Sequence, residues 1–255
     1  MLLSHHIGMD YTTLPASNPV ATDGESRVAN LDHVTRSFGD FSLKRINLQV
    51  NPGTVLLIAG ANGAGKSTLL DLLMGTVEPD EGTVTVFGRP RSKLTQSDRE
   101  AIGCSLDRKL LPDGLSVRLF LKSVALACGT WDHEMARTLL DHFGVDSSKK
   151  VKELSEGMKK KLGITAALSR RSRLLLLDEP FAGLDAESQE RVVKELDAAK
   201  KSGTGVVLTS HQFDKLDGLV DDILVLRHGE LTCSMGGQST RVSRHALSEL
   251  LPPLL

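Results

Sequence analysis

Gly60, Ala61, Asn62, Gly63, Ala64, Gly65, Lys66 and Ser67 spell G-x-x-x-x-G-K-S without a break, and Thr68 follows. Residues of these types at this spacing make a phosphate cradle. Glycines let successive backbone N–H groups curl around phosphate oxygens with no side chain in the way. The lysine reaches the β- and γ-phosphates, and the serine hydroxyl ligates Mg²⁺. Thr68 adds a further hydroxyl. The predicted chemistry is binding of a nucleoside triphosphate; a glycine-rich turn that binds nothing is the bland alternative. Farther along, LLLLDEP (Leu174–Pro180) closes an apolar run on two acids. If this run is a buried strand in a parallel sheet, Asp178 and Glu179 emerge at its C-terminal edge, beside the phosphate loop. Asp178 is then set to hold Mg²⁺, directly or through water. Glu179 is set to polarise an attacking water, with apolar surroundings favouring a base poised near the operating pH. His211 ends GVVLTSH. A lone histidine is more often structural, yet at the tip of another core strand it reaches the γ-phosphate and the water.

A third stretch, LSEGMKKKL (Leu154–Leu162), reads as a helix start with Ser155 as N-cap. A helix N-terminus with a serine is an anion site in waiting. Glu156 puts a carboxylate where that anion would sit. Either it opposes the anion, or its side chain points to solvent and Gly157 makes the close backbone approach. Lys159, Lys160 and Lys161 are expected to form a solvated face.

These residues need elements to hold them. Two strand-like runs span Val28 to Val50 and end at the turn Asn51–Gly53. TVLLIA is an apolar run suited to a strand buried on both faces. The helix KSTLLDLLM stops at Gly75, and EGTVTVFG alternates as an exposed edge strand. SVRLFLKSVALAC and DHEMARTLLDHF carry helix-period apolar residues, with Gly129 and Gly144 as expected C-caps. After Ser155 the β/α rhythm returns: RLLLLDEP and TGVVLTS as buried strands, AESQERVVKELDAAKKSG as a capped amphipathic helix, and DDILVLRHGEL as a hairpin about His228-Gly229. The fold class is α/β: a P-loop nucleotide-binding core of RecA-like type, with an antiparallel β subdomain and an inserted α-helical subdomain at about 95–168. Residues 1–27 read as a loosely ordered tail and 232–255 as an extension with a short helix at Ser243–Leu250.

The bulk numbers exclude several classes. The 255 residues carry a net charge of −1, which gives no overall attraction to nucleic acid, and aromatics at 4% weaken any base-stacking role. Cys104, Cys128 and Cys233 form no C-x-x-C pair, so no disulfide framework or zinc site is expected. No apolar run reaches the roughly 20 residues that span a bilayer. The N-terminus lacks a basic segment followed by an apolar core, so no signal peptide is expected.

The ordered set GANGAGKST, LSEGM, LLLLDEP, AGLD and TSH resembles the ATP-binding subunit of an ABC transporter from about Val28 to Leu231. The resemblance implies two subunits closing head to tail, with ATP between the phosphate loop of one and the signature helix of the other. It implies that Ser155, Glu156 and Gly157 face the partner's γ-phosphate, that Asp185 in GLD lies at the inter-subunit link, and that Phe38 in RSFGD stacks on adenine. It further implies that Asp107, in AIGCSLDRKLLPDGLS, stands where the family's phosphate-sensing loop carries Gln or Glu at the metal. Asp is one methylene shorter than Glu. The helical insert is where such proteins dock a separately encoded membrane subunit.

The function expected is thus an ATPase of the cytoplasmic membrane face, using ATP and Mg²⁺ and working with a second ATP-binding subunit, identical or related. GMKKKL and the chain length look most like the export-type systems of that family. A soluble ATPase of a non-transport complex, such as cofactor assembly, is the competing reading; a neighbouring frame encoding a six-helix membrane protein would separate the two. A small kinase leaves LSEGM and AGLD unexplained.

Overall fold

The computed structural model describes residues 27–105, 111–210, 216 and 218–235. β1 (Ala29–Phe38) and β2 (Phe41–Val50) form an antiparallel hairpin, with β4 (Glu81–Val86) antiparallel on the other side of β1. This sheet runs β2-β1-β4-β5, where β5 is only Arg89–Pro90. EGTVTVFG is therefore not an outright edge: β4 lies between β1 and the two-residue β5.

The second sheet carries the chemistry. β3 (Val55–Ala59), β6 (Ile102–Cys104), β7 (Leu174–Leu177), β8 (Gly205–Thr209), β9 (Asp222–Arg227) and β10 (Glu230–Met235) run in the order β10-β9-β3-β8-β7-β6. All pairings are parallel except β9 with β10, which turn on His228 and Gly229. Every residue of β3, β7 and β8 is buried, as unbroken apolar runs covered on both faces must be. Alternate side chains feed two cores. Leu56 and Ile58 join Leu69, Leu72 and Leu73 of α1 (Lys66–Met74) and Ile46 of the first sheet. Leu57 joins Val192 and Leu196 of α6 (Ala186–Lys201), together with residues of three helices.

Those three are α3 (Val117–Ala127), α4 (His133–Phe143) and α5 (Glu156–Leu168), preceded by the short α2 (Gln96–Glu100). Ser116, Asp132 and Ser155 cap α3, α4 and α5 through their side-chain oxygens. Each such cap is worth about 0.5–2 kcal/mol. Gly75 and Gly144 end α1 and α4 as expected, but α3 ends at Cys128 in an extended conformation and Gly129 follows it. β6 belongs to the core sheet although it lies within the stretch expected to be a helical insert. The tail before Arg27 and the helix expected at Ser243–Leu250 fall outside the described residues.

Candidate nucleotide site

β3 delivers the glycine loop and α1 leaves it, so the loop sits at the carboxyl edge of the parallel sheet. At Gly65, the N-cap of α1, φ is 107°, and an added Cβ would stand 2.7 Å from Phe41 and Leu43 of β2. The left-handed backbone favours glycine there, and a side chain would displace the tips of Phe41 and Leu43. The Lys66 ammonium donates to the carbonyls of Gly60 at 2.8 Å and Ala61 at 3.1 Å, spanning the loop from inside. An ammonium has three donors, so one remains for a phosphate oxygen. No acid stands in the first turn of α1, which leaves the positive helix end to an anion.

β7 and β8 bring the acids. The Ser67 hydroxyl donates to Asp178 Oδ2 at 2.9 Å, although 111 residues separate them. The Thr209 hydroxyl donates to Asp178 Oδ1 at 2.6 Å and accepts the Glu179 backbone N–H at 2.8 Å. The Asp178 N–H in turn donates to Ser105 Oγ at 3.1 Å, just past β6. Glu179 holds φ at 46°, a left-handed conformation that a side chain adopts at a cost, and Thr209 braces it there. Neither Thr209 nor Ser105 stands out in the sequence, since TSH draws attention to its histidine and Ser105 has no motif around it. A hydroxyl and a carboxylate side by side, both hard oxygen donors, suit Mg²⁺.

A second group surrounds the start of α5. Ser155 Oγ accepts the Met158 N–H at 3.2 Å. Glu156 is the first helical residue; its carboxylate is 3.7 Å from Lys159 Nζ, which is equally far from Asp113. An added Cβ at Gly157 would meet the carbonyl of Gly183 at 3.3 Å. The expected solvated lysine face is a correction: the Lys159 and Lys161 side chains are only 18% and 14% exposed. Lys161 donates to Asp185 Oδ2 at 2.7 Å because α6 starts within its reach. Asp185 Oδ1 accepts the Ser188 N–H at 2.8 Å and caps α6. The Lys161 ammonium and the Ser188 N–H hold the Asp185 carboxyl well below the usual carboxylate range.

Phe38 ends β1 opposite Phe41, the residue packed against Gly65. It is 44% exposed, so it is no core residue, and the Arg36 guanidinium lies 4.5 Å from its ring centroid. Asp107 and His211 lie outside the described residues.

A P-loop between a buried strand and a helix, with a carboxylate reaching its serine from a neighbouring parallel strand, defines a nucleotide-binding α/β protein. A profile of the ABC transporter family matches residues 43–182. That is more than half of the chain, and the chain belongs to this family. It is 30% identical over 219 residues to a ribose import ATP-binding protein of Corynebacterium glutamicum, covering 82% of this chain and 42% of that protein. It is 30% identical over 220 residues to a Nod factor export ATP-binding protein of Sinorhizobium fredii, covering 84% of this chain and 64% of that protein. The chain thus spans less than two thirds of the length of these relatives. Among solved structures, an ATP-binding subunit of an ABC transporter shares the fold at a TM-score of 0.75 and 24% identity, over 82% of this chain and 90% of that one.

Proposed function

We propose that this protein is the ATP-binding and ATP-hydrolysing subunit of a membrane transporter, closing head to tail on a second such subunit when ATP is bound. The observation that carries the reading is the Ser67–Asp178–Thr209–Glu179 chain of hydrogen bonds at the mouth of the phosphate loop. Backbone N–H groups of residues 60–68 bind the phosphates, with Lys66 on the β- and γ-positions. Ser67 and Asp178 would hold Mg²⁺, with Asp107 as a further ligand, and His211 would reach the γ-phosphate and the attacking water. The ion would supply neutralisation of phosphate charge. Glu179 orients the attacking water and takes its proton. Phe38 offers adenine the ring face not covered by Arg36. Ser155 and Gly157 meet the γ-phosphate bound by the partner chain, and Asp185 lies at the joint between subunits.

We assign residues 28–231 to the ATPase unit, with the helices of the insert as the docking place for a separately encoded membrane subunit at the cytoplasmic face. Among the described residues, no helix is long and apolar enough to cross a membrane. The export direction expected from the sequence has less support: several similar proteins are named for ribose or phosphonate import, and another for Nod factor export. Import is the direction we favour.

The test uses Glu179→Gln. Mg·ATP should bind it as it binds the unaltered chain and shift it from monomer to dimer in sedimentation, while turnover falls by about 10²–10⁴. Normal turnover in this variant refutes the base assignment. A chain that holds ATP and never pairs refutes the dimer.

A further inference from the structure

The tip of the β1–β2 hairpin reaches the phosphate loop: Phe38 pairs across it with Phe41, and Phe41 packs against Gly65. One face of the Phe38 ring is already taken. The Arg36 guanidinium lies 4.5 Å from its centroid, and Arg36 Nε is buried with no hydrogen-bond partner among the described residues. An aromatic face offers such an N–H electron density where no oxygen is at hand. The far end of the guanidinium is tied down, since Nη1 donates to Asp80 Oδ1 at 2.6 Å. Asp80 is itself fastened to the strand that carries Phe38. Its Oδ2 accepts the Ser37 N–H at 2.8 Å, and its own N–H donates to the Thr35 carbonyl at 2.9 Å. The Ser37 N–H and the Arg36 guanidinium hold its carboxyl below the usual aspartate range. Asp80 comes five residues after Gly75, the C-cap of α1.

We infer that Arg36 is a positioning residue for the nucleoside base: clamped by Asp80, it covers one face of Phe38 and holds the ring so that the opposite face takes a purine at a fixed distance from the phosphate loop. The inference rests on the reading above in which Phe38 receives adenine. A phenyl ring 44% exposed at a hairpin tip turns about its two side-chain bonds unless something packs on it. Arg36 packs on it, and Arg36 is itself restrained, because a guanidinium can stack and donate at the same time and Asp80 accepts what it donates. An exposed ion pair by itself adds little to stability. This one orders a ring, so its effect belongs in base affinity rather than in folding. Asp80 joins β1 to the segment leaving α1, so the strand that holds the base and the helix that opens the phosphate loop share one support. With its charge met by Asp80, Arg36 is assigned to the base and not to the phosphates, and that sets the test.

The experiment measures, by calorimetry on the full chain at low concentration, the affinity for Mg·ATP and for magnesium-bound inorganic triphosphate, which has the phosphates and no base. Phe38→Ala should lose at least about fivefold in ATP affinity, the lower end of what stacking a base on one aromatic ring gives. Arg36→Met removes the guanidinium. Asp80→Asn keeps an acceptor for the Ser37 N–H and removes the charge that holds Arg36. Each should weaken ATP binding by about two- to fivefold and leave the affinity for inorganic triphosphate unchanged. Arg36→Met added to Phe38→Ala should weaken ATP binding no further, since its effect runs through the ring. Should Arg36→Met or Asp80→Asn keep wild-type ATP affinity while Phe38→Ala loses it, or should the losses at Arg36 and Phe38 simply add, the inference is overturned and the adenine reading stands. A parallel loss of triphosphate binding also overturns it, because the substitution has then disturbed the phosphate loop or the fold. A Phe38→Ala chain that binds ATP as the unaltered chain does brings down the adenine reading and the inference with it.

Discussion

The side chain that organises the chemistry is Thr209. It is fully buried, and its one hydroxyl serves both acids: it donates to Asp178 and accepts the N–H of Glu179. Thr209→Val keeps the shape and strands that N–H, a loss of about 1–3 kcal/mol for a buried donor left without a partner. Turnover should fall by at least about fivefold, the factor that about 1 kcal/mol gives, and Thr209→Ser should restore it. Equal turnover for Val and Thr would show that the strained Glu179 backbone needs no brace. Glu156 places a carboxylate at the start of α5. Its side chain is 68% exposed and partnered by Lys159. An exposed pair is worth at most about 1 kcal/mol, so Glu156→Gly should change the ATP dependence of dimerisation by no more than about fivefold. A larger tightening, read by sedimentation, would mean that the carboxylate obstructs the partner's triphosphate.

At the scale of elements, the site depends on β3, β8 and β7 lying side by side. Leu57, Val207 and Leu177, one from each strand, have no accessible surface. Leu57→Ala should cost about 2–5 kcal/mol in urea unfolding, since the rigid sheet and two packed layers cannot close around the lost methyls. Nucleotide affinity at temperatures well below the melting point should change little, because the phosphate loop begins beyond the end of the strand. A drop in affinity without a drop in stability would show that the loop is set by strand packing rather than by its own glycines.

Over the whole molecule, acid stability follows from carboxylates that the fold holds in their charged form. The Asp132 carboxyl is pushed up by burial, but the N–H of Met135 and the Arg171 guanidinium outweigh this and its net shift is downward. Asp80, Asp98, Asp146, Asp185 and Glu230 are also lowered. A carboxyl whose folded value is depressed contributes stability above its unfolded value and loses it as pH falls toward the folded one. The urea midpoint should therefore respond little to these groups between pH 5 and 7 and fall below about pH 4, the unfolded aspartate value. Asp132→Asn keeps a capping oxygen at α4 but removes the titration, so its midpoint should fall less steeply below that pH. A slope identical to the wild type would remove Asp132 from the acid-labile set.

The phosphate loop, the cap at Ser155, and the buried runs at β3, β7 and β8 were legible in the sequence because each is written in neighbouring residues. Glycine spacing, a capping side chain before an apolar helix, and unbroken branched runs are local signals. The confinement of Lys159 and Lys161 was not legible, since a charged run looks the same whether another element covers it or not. Nor was the role of Thr209, which comes from β8 inserting between β3 and β7 at a register that sets its hydroxyl against both acids. Sequence alone determined which pieces could bind a phosphate. Only the tertiary structure decided which hydroxyls and ammonium groups hold them in place, because strand order and the meeting of helix ends depend on packing between residues far apart in the chain.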